Sequence, residues 1–257
     1  MPPAELLECG YQELRRYGVA VHRGTVGTVQ QAQEGFRVGL SGAGSVRARR
    51  LLFSTGATDR LPDVRGLQER WGKDVLHCPS CHGWEVRDEP LGVLDSGAGD
   101  ISKPLTVRQW SQDVTFFVPD TGVLSRRDRE VLRSNGIRLG HEPVAALTVE
   151  NDRLTGIRLE GGGTVAVSAV FVSPEVFAND RLLRDLGARV ESQPLGRSVS
   201  VDECGQTSVS GAYAAGDVTD LAASVITSAA AGSRAGEAIN ADLILADAHS
   251  AVGTRST

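Results

Sequence analysis

The sequence predicts an α/β protein with two domains, and three observations support this. Apolar strands run into turns of small residues at 51–57, 91–100 and 211–218, where backbone can approach a ligand closely. Helical segments stand between strands, as in folds built on a parallel sheet. The chain has 257 residues with 30 glycines and 5% aromatic residues, which is long enough for two domains with tight turns.

The helices are predicted from apolar spacing and from their end signals. The first, 3–17, carries an apolar face among Glu and Arg and ends at Gly18. That face comprises Leu6, Leu7, Leu14 and Tyr17. The remaining helices are predicted at 101–111, 126–135, 179–186 and 224–246.

The strands are predicted from alternating or continuous apolar runs. Residues 36–40 alternate strictly, whereas 91–94 is a continuous apolar run typical of a strand that is buried on both faces. The other predicted strands are 19–21, 26–29, 46–53, 114–118, 137–139, 144–149, 154–159, 165–167, 169–172, 199–201 and 207–209.

Composition and charge exclude two classes of partner. The net charge is −5 and the sequence pI is about 5.6, without a basic block, so a nucleic acid is not expected to bind. The longest low-charge tract, 221–232, is short and alanine-rich, so no membrane span is expected. Four cysteines in a chain of this size suit a reducing compartment and predict a cytoplasmic protein.

The sequence HCPSCHGWE at 77–85 places two thiols three positions apart between two histidines. Cys78 and Cys81 can close a small disulfide ring and reopen it. Imidazolium groups of His77 and His82, or a helix N-terminus, would lower the pKa of the thiols and make the sulfur reactive. The first hypothesis for this stretch is therefore redox chemistry.

Three other interpretations of the same stretch stay open. A zinc site would need His77 and His82 to join both thiols within six residues, because no second close Cys or His pair is present, so no metal is expected. The letters CPSCH also match covalent haem attachment, but the only methionine is Met1 and no export signal is seen. The two cysteines could also be inert core residues.

The turn at 95–100 lies where a dinucleotide fingerprint belongs. Gly97 and Gly99 fit that pattern, but Asp95 and Asp100 stand where two small residues are needed. Both carboxylates add bulk and negative charge where a pyrophosphate would approach, which argues against NADPH. Asp120 follows the next strand, about where a ribose-binding acid would be.

The stretch 211–218 is again a strand that ends in small residues and a carboxylate. Gly216 and Asp217 precede the long alanine-rich helix 224–246, whose N-terminal dipole could face a ligand's partial negative charge. The alternative for Asp217 is a simple helix cap.

Taken together, these motifs resemble the thioredoxin reductase-like flavoproteins of the pyridine nucleotide-disulfide oxidoreductase superfamily. LLFSTGA at 51–57 looks like that family's crossing between domains, CPSC at 78–81 like its redox pair, and YAAGD at 213–217 like its second flavin motif. His82, where thioredoxin reductases carry an aspartate, is closer to the dithiol oxidase branch.

The resemblance implies a role for each matching residue. Cys81 would be the thiol nearest to FAD, Cys78 the thiol that attacks the partner disulfide, and His82 the acid/base. The residues that the resemblance implies for cofactor binding are Gly56, Gly216, Asp217, Ser224 and Val225 for FAD, with Gly97 and Gly99 for a nicotinamide nucleotide.

The resemblance also implies the domain organisation and the partners. Two Rossmann-like domains are expected: an FAD-binding domain from 1–62 and 174–257, and an NAD(P)-binding-like domain at 63–173 that carries the redox pair. The first is expected to be incomplete at its N-terminus, because the family's βαβ unit for the adenosine half of FAD has no match in this sequence. A protein or small-molecule dithiol or disulfide is the expected substrate, and a homodimer is compatible with the family.

Two alternatives to a flavin enzyme follow from these departures. One is a non-catalytic remnant that keeps the fold but has lost the cofactor. The other is a flavin-free thiol redox or metal module. A yellow purified protein would support the enzyme, whereas a colourless protein that takes up no added FAD would support the remnant.

Overall fold

The computed structural model describes residues 3–42 and 44–253 and divides into two units. Unit 1 consists of the chain up to Ala57 and from Ala178 onward, and unit 2 is Thr58–Phe177. The helices are α1 (Pro3–Arg16), α2 (Leu67–Arg70), α3 (Pro79–His82), α4 (Ser102–Val107), α5 (Arg126–Ser134), α6 (Arg181–Asp185) and α7 (Val225–Gly253).

The strands are distributed over both units. In chain order they are β1 (Val26–Gln31), β2 (Phe36–Leu40), β3 (Gly44–Ala48), β4 (Leu51–Phe53), β5 (Ala57–Arg60), β6 (Val75–Leu76), β7 (Leu91–Leu94), β8 (Val114–Phe117), β9 (Arg138–Gly140), β10 (Val144–Glu150), β11 (Arg153–Leu159), β12 (Thr164–Val165), β13 (Ala169–Phe171), β14 (Glu175–Ala178), β15 (Val190–Gln193), β16 (Gly196–Val199) and β17 (Ala212–Ala214).

Unit 2 is built on a five-stranded parallel sheet with the order β6-β13-β7-β8-β9. Four of its strands, β6, β13, β7 and β8, are buried on both faces, which explains why β7 and β8 are continuous apolar runs, whereas the edge strand β9 is partly exposed. Phe116 and Phe171 pack on one face in the same cluster as Leu132 of α5. Phe117 and Val170 pack on the other face, against the antiparallel sheet β10-β11-β12. The unit is therefore a three-layer α/β fold.

Unit 1 combines an antiparallel sheet, β1-β2-β3, with the parallel pair β4 and β17. Its core joins strand residues such as Phe36 and Phe53 to Leu183 of α6. The helix α7 is 29 residues long and follows the turn after β17. The two units are linked by a two-stranded sheet in which β5 pairs with β14.

Three local predictions differ from the structure. The single strand predicted at 46–53 is two strands, because the chain bends at residues 49–50, so that β3 pairs with β2 whereas β4 pairs with β17. Residues 19–21 form no strand: Gly18 turns the chain with a φ of 68°, and Val19 and Val21 are exposed, so no buried face holds an extended segment there. Residues 207–209 contribute only an isolated bridge, between Thr207 and Val201. Helix α1 forms as predicted, but its apolar face is exposed.

Candidate active site

The redox pair lies in unit 2, on the short helix that follows β6. Cys78 is extended (φ −103°, ψ 112°) and caps α3, and Pro79 occupies the first helical turn, where its missing N–H is tolerated. The Cys81 amide donates to the Cys78 carbonyl at 3.2 Å, which curls the segment into one turn. The Cα atoms are 5.3 Å apart and the two sulfurs form a disulfide. Local backbone geometry alone therefore brings the two thiols together.

The surroundings leave this disulfide accessible. Cys81 and His82 are exposed and Cys78 is half-buried, so the pair is not part of the hydrophobic core. His82 directly follows Cys81, and its amide also donates to the Cys78 carbonyl, at 3.1 Å. An exposed disulfide beside an imidazole can undergo thiol exchange and proton transfer.

The end of α3 is held by a close contact. Gly83 is buried, and a Cβ at this position would overlap with the indole of Trp110 and lie 2.5 Å from the Pro79 carbonyl. Only glycine fits there. The next residue, Trp84, is 62% exposed, and the guanidinium of Arg87 lies 3.8 Å over its ring. An aromatic surface therefore begins three residues after Cys81.

The turn after β7 is closed by its own carboxylates. Asp95 Oδ1 accepts the amide of Gly99 at 3.0 Å, and Asp100 accepts the amide and hydroxyl of Ser102 at 2.8 and 2.7 Å. Gly97 has a positive φ of 93°, as the turn requires. A pyrophosphate binds such a turn through its backbone amides, but here the side chains already occupy them and add negative charge.

The cavity next to this turn is also lined by carboxylates, which disfavour a negatively charged nucleotide. A cavity of about 360 Å³ is lined by both Asp95 and Glu175, next to Ser96 and Arg60. Arg60 forms an ion pair with Glu175. These residues do not fit a nicotinamide dinucleotide, and no step is assigned to one.

The flavin-motif residues lie together in unit 1. β4 and β17 are parallel neighbours, so the turns that follow them, at Gly56 and Gly216, leave the same edge of the pair. Both glycines have positive φ, 68° and 82°. The Thr55 hydroxyl donates to the Asn179 carbonyl at 2.8 Å, which fixes the first turn.

The second turn is joined to the start of α7. The Ser228 hydroxyl donates to Asp217 at 3.2 Å, and Ser224 and Thr227 cap each other's amides at the first turn of the helix. The apolar side chains of Val225 and Ile226 are 71% and 75% exposed there. Gly216 also lines a cavity of about 380 Å³, together with small residues of α7 and the carboxylates of Asp202, Glu203 and Asp220.

These features fit FAD. A Cβ at Gly216 would meet nothing closer than 3.8 Å, so the turn leaves open space in front of its backbone. Exposed apolar residues at the N-terminus of a long helix suit a flat, electron-poor ring, and Asp217 can accept hydrogen bonds from hydroxyl groups. Gly56, Gly216, Asp217, Ser224 and Val225 are the residues that would hold the cofactor.

Among the residues that the structure describes, no three His, Cys, Asp or Glu side chains are grouped as metal ligands. No helix within residues 3–42 and 44–253 combines the length and hydropathy that a membrane crossing requires.

An accessible disulfide at a short helix that follows a strand of a parallel sheet, together with a flavin-type turn, defines the flavin-dependent disulfide oxidoreductases. The chain belongs to this class, as a member of the pyridine nucleotide-disulphide oxidoreductase family, whose model matches residues 8–236. The prediction of a thioredoxin reductase-like, FAD-binding enzyme with a two-domain Rossmann-type fold is confirmed, and the remnant and the flavin-free module are not favoured.

Individual relatives support the same assignment. Thioredoxin reductase sirT of Leptosphaeria maculans is 26% identical over 263 residues, covering 96% of this chain and 80% of the relative. The crystal structure of HlmI is 42% identical with a TM-score of 0.89, covering 99% of this chain and 80% of that one. An oxidoreductase from Agrobacterium tumefaciens is 28% identical with a TM-score of 0.85, covering 95% and 81%.

Proposed function

We propose that the Cys78–Cys81 pair carries the reaction, with Cys78 exchanging with the substrate and Cys81 exchanging electrons with the flavin. The observation that supports this assignment is the accessible disulfide at α3, with Cys78 capping the helix. His82 is the acid/base, because its imidazole is exposed on the residue next to Cys81. Bound FAD supplies the acceptor for the electron pair.

For a dithiol substrate the steps balance as follows. One substrate thiolate attacks Sγ of Cys78, forming a mixed disulfide and releasing the thiolate of Cys81. The second substrate thiolate attacks the mixed disulfide, so that the substrate leaves oxidised and the protein pair gains two electrons and two protons. His82 takes up or returns the proton at the Cys81 sulfur.

Dithiol oxidation is the direction that we propose, since the turn at Asp95 and Asp100 does not fit NADPH. The substrate is a protein or small-molecule dithiol, in keeping with the disulfide and dithiol chemistry of the family. The exposed surface of Trp84 and Arg87 beside the pair supports contact with a flat or aromatic substrate group.

Assembly and location are proposals of the same kind. A homodimer is supported by the exposed apolar face of α1, and light scattering of the purified protein would test it. A cytoplasmic location is supported by the exposed, unpaired Cys9 and Cys204. Fractionation of the producing cells would test that location.

The test is dithiol turnover by the FAD-loaded protein with dithiothreitol as the substrate and dioxygen as the acceptor that reoxidises the flavin. Cys78→Ser should lower the rate by about 1000-fold, because the exchanging sulfur is lost. Cys204→Ser, which removes an exposed cysteine of unit 1, is the matched control and should stay within about twofold of the unchanged protein. Unchanged turnover in Cys78→Ser would refute the assignment.

A further inference from the structure

A half-buried amine lies beside the redox loop and takes no part in the steps described above. Lys103 belongs to α4, and its Nζ donates to the carbonyl of His77 at 3.2 Å and to that of Val172 at 2.8 Å. His77 directly precedes Cys78, and Val172 directly follows the interior strand β13. One side chain therefore ties the loop that carries the redox pair to the carboxyl end of the parallel sheet.

The charge of this amine acts on the same loop. Burial lowers the pKa of Lys103 to about 8, against the opposing effect of Asp100. Loss of water around the imidazole and the ammonium of Lys103 both lower the pKa of His77, on which Asp59 and His82 also act. The ammonium of Lys103 is therefore close enough to lower the pKa of His77, the residue next to Cys78.

We propose that Lys103 is a positioning residue for the Cys78–Cys81 pair: it fixes the loop through two hydrogen bonds, and its ammonium favours the thiolate that forms when the disulfide is reduced. This inference rests on the proposed function in taking the pair as the site of exchange. A positive charge near a thiol stabilises the thiolate, and stabilising the reduced form raises the reduction potential.

The two effects of Lys103 can be separated by pH. A neutral amine keeps two N–H donors, so deprotonation near pH 8 removes the charge while both carbonyls retain a donor. The electrostatic effect is therefore present near pH 7 and disappears as the pH rises well above 8. Linkage is reciprocal: a thiolate that is favoured by the ammonium raises the pKa of Lys103 by the same factor.

The first experiment measures that reciprocity in the full-length, FAD-loaded protein. Lys73 and Lys103 are the only lysines in the sequence, so labelling with [ε-13C]lysine gives two side-chain signals, assigned with Lys73→Arg. Each signal is titrated with pH, in the absence of dioxygen, before and after reduction by excess dithiothreitol. Two equivalents are consumed, one for the flavin and one for the pair, and each passes on two electrons and two protons and leaves as its cyclic disulfide. The midpoint for Lys103 should rise on reduction by about 0.5 to 1 pH unit.

Lys73 serves as an internal control in the same spectra, because its ammonium pairs with Asp152 at 3.3 Å on the surface. Its midpoint should not change on reduction. Cys78→Ser, which cannot form the disulfide, should show no shift of the Lys103 midpoint when dithiothreitol is added. A Lys103 midpoint that is equal in the oxidised and reduced protein would overturn the proposal.

The second experiment measures the dithiol–disulfide equilibrium of the pair against dithiothreitol, read by alkylation of the thiols after acid quenching. Near pH 7, Lys103→Met should shift the equilibrium about tenfold towards the disulfide, or about 30 mV for a two-electron couple. Lys103→Arg should keep most of the wild-type value, and Lys73→Met should match it. The difference between Lys103→Met and wild type should vanish by about pH 10.

The outcomes are separable from those of the proposed function. An unchanged equilibrium in Lys103→Met near pH 7, or a difference that persists at about pH 10, would overturn the electrostatic role. If Lys103→Met fails to fold, the lysine titration of the wild-type protein decides. If the Lys103 midpoint rises on reduction but the protein shows no dithiol turnover, the inference stands and the proposed function fails. If the protein turns over dithiols but the Lys103 midpoint does not change, only the inference fails.

Discussion

The two strand–turn–helix segments of this protein share a pattern but differ in what fills the turn. After β17, the turn at Gly216 leaves open space in front of its backbone, and Asp217 is held back against Ser228 of the following helix. After β7, Asp95 instead folds over the turn and takes the amide of Gly99. A carboxylate beside a turn can accept hydrogen bonds from a ligand. A carboxylate inside the turn accepts the backbone amide that a ligand would otherwise bind.

The largest effect expected from this comparison is at the two turn glycines. Gly216 and Gly97 both have positive φ, and a Cβ at either would meet nothing closer than 3.8 Å, so a valine strains both backbones similarly. Gly216→Val should weaken FAD binding about 100-fold, because its side chain fills the open space. Gly97→Val should lose stability but keep its flavin. The measurement is FAD titration followed by fluorescence quenching, and equal flavin affinity in both variants would contradict the comparison.

A smaller effect is expected at the carboxylate beside the open turn. Asp217→Asn keeps an acceptor for Ser228 but loses the charge, and FAD affinity should fall about tenfold because charge-assisted hydrogen bonds are stronger than neutral ones. Asp120→Asn is the matched control, since Asp120 accepts the amide of Gly122 in a turn of unit 2. Equal affinity of the two variants for FAD would exclude a cofactor role for Asp217.

The closed turn predicts a gain rather than a loss. Asp95→Gly frees the amide of Gly99 and removes one negative charge, so affinity for NADPH in equilibrium dialysis should rise about fivefold over the unchanged protein. Asp113→Asn removes a carboxylate that pairs with Arg138 elsewhere in unit 2, and it should leave NADPH binding unaltered. Tight NADPH binding by the unchanged protein would show that Asp95 does not close the turn.

The smallest effect concerns how α7 is held against the rest of unit 1. Arg50 forms two hydrogen bonds with Asp242, at 2.5 and 2.8 Å, and these lower the pKa of Asp242 against partial burial. Because the folded-state pKa lies below the unfolded one, this stabilisation is present at neutral pH and is lost as the pH falls through the folded-state value. Asp242→Asn should therefore cost about 1 kcal/mol of unfolding free energy near pH 7 and almost nothing in strong acid.

The neighbouring pair provides the control for that measurement. Arg49 and Asp247 form an exposed ion pair between the same bend, which joins β3 to β4, and α7, and exposed pairs contribute little. Asp247→Asn should leave the urea unfolding curve unchanged within about 0.5 kcal/mol. If both variants lose a similar amount of unfolding free energy, the difference in solvent exposure does not explain how much each ion pair contributes to stability.

Continuous apolar runs made most of unit 2 predictable from the sequence. The strand at 91–94 was expected with the bounds that β7 has, because burial on both faces requires apolar residues throughout. The short elements were not predictable. α3 is one turn held by the Cys78 carbonyl, and β6 has two residues, so neither leaves a periodic pattern.

The site was predictable to the extent that its chemistry is local. A C-x-x-C pair closes by its own turn, so the distance between Cys78 and Cys81 follows from the sequence. Lys103 was not foreseen, because its partners are carbonyls 26 and 69 residues away and any residue has a carbonyl. Its position just after a glycine turn in a chain with two lysines was the only available signal.

The ribbon formed by β5 and β14 has a consequence for how such an enzyme changes over time. Hydrogen-bonded strands lie about 5 Å apart, so the segment that carries the cysteines begins and ends at nearly the same point. An inserted segment whose two ends lie close together can be replaced by another segment without distorting the domain into which it is inserted. The thiol chemistry of this protein can therefore be replaced or redesigned as one insert while the flavin-type turn stays untouched.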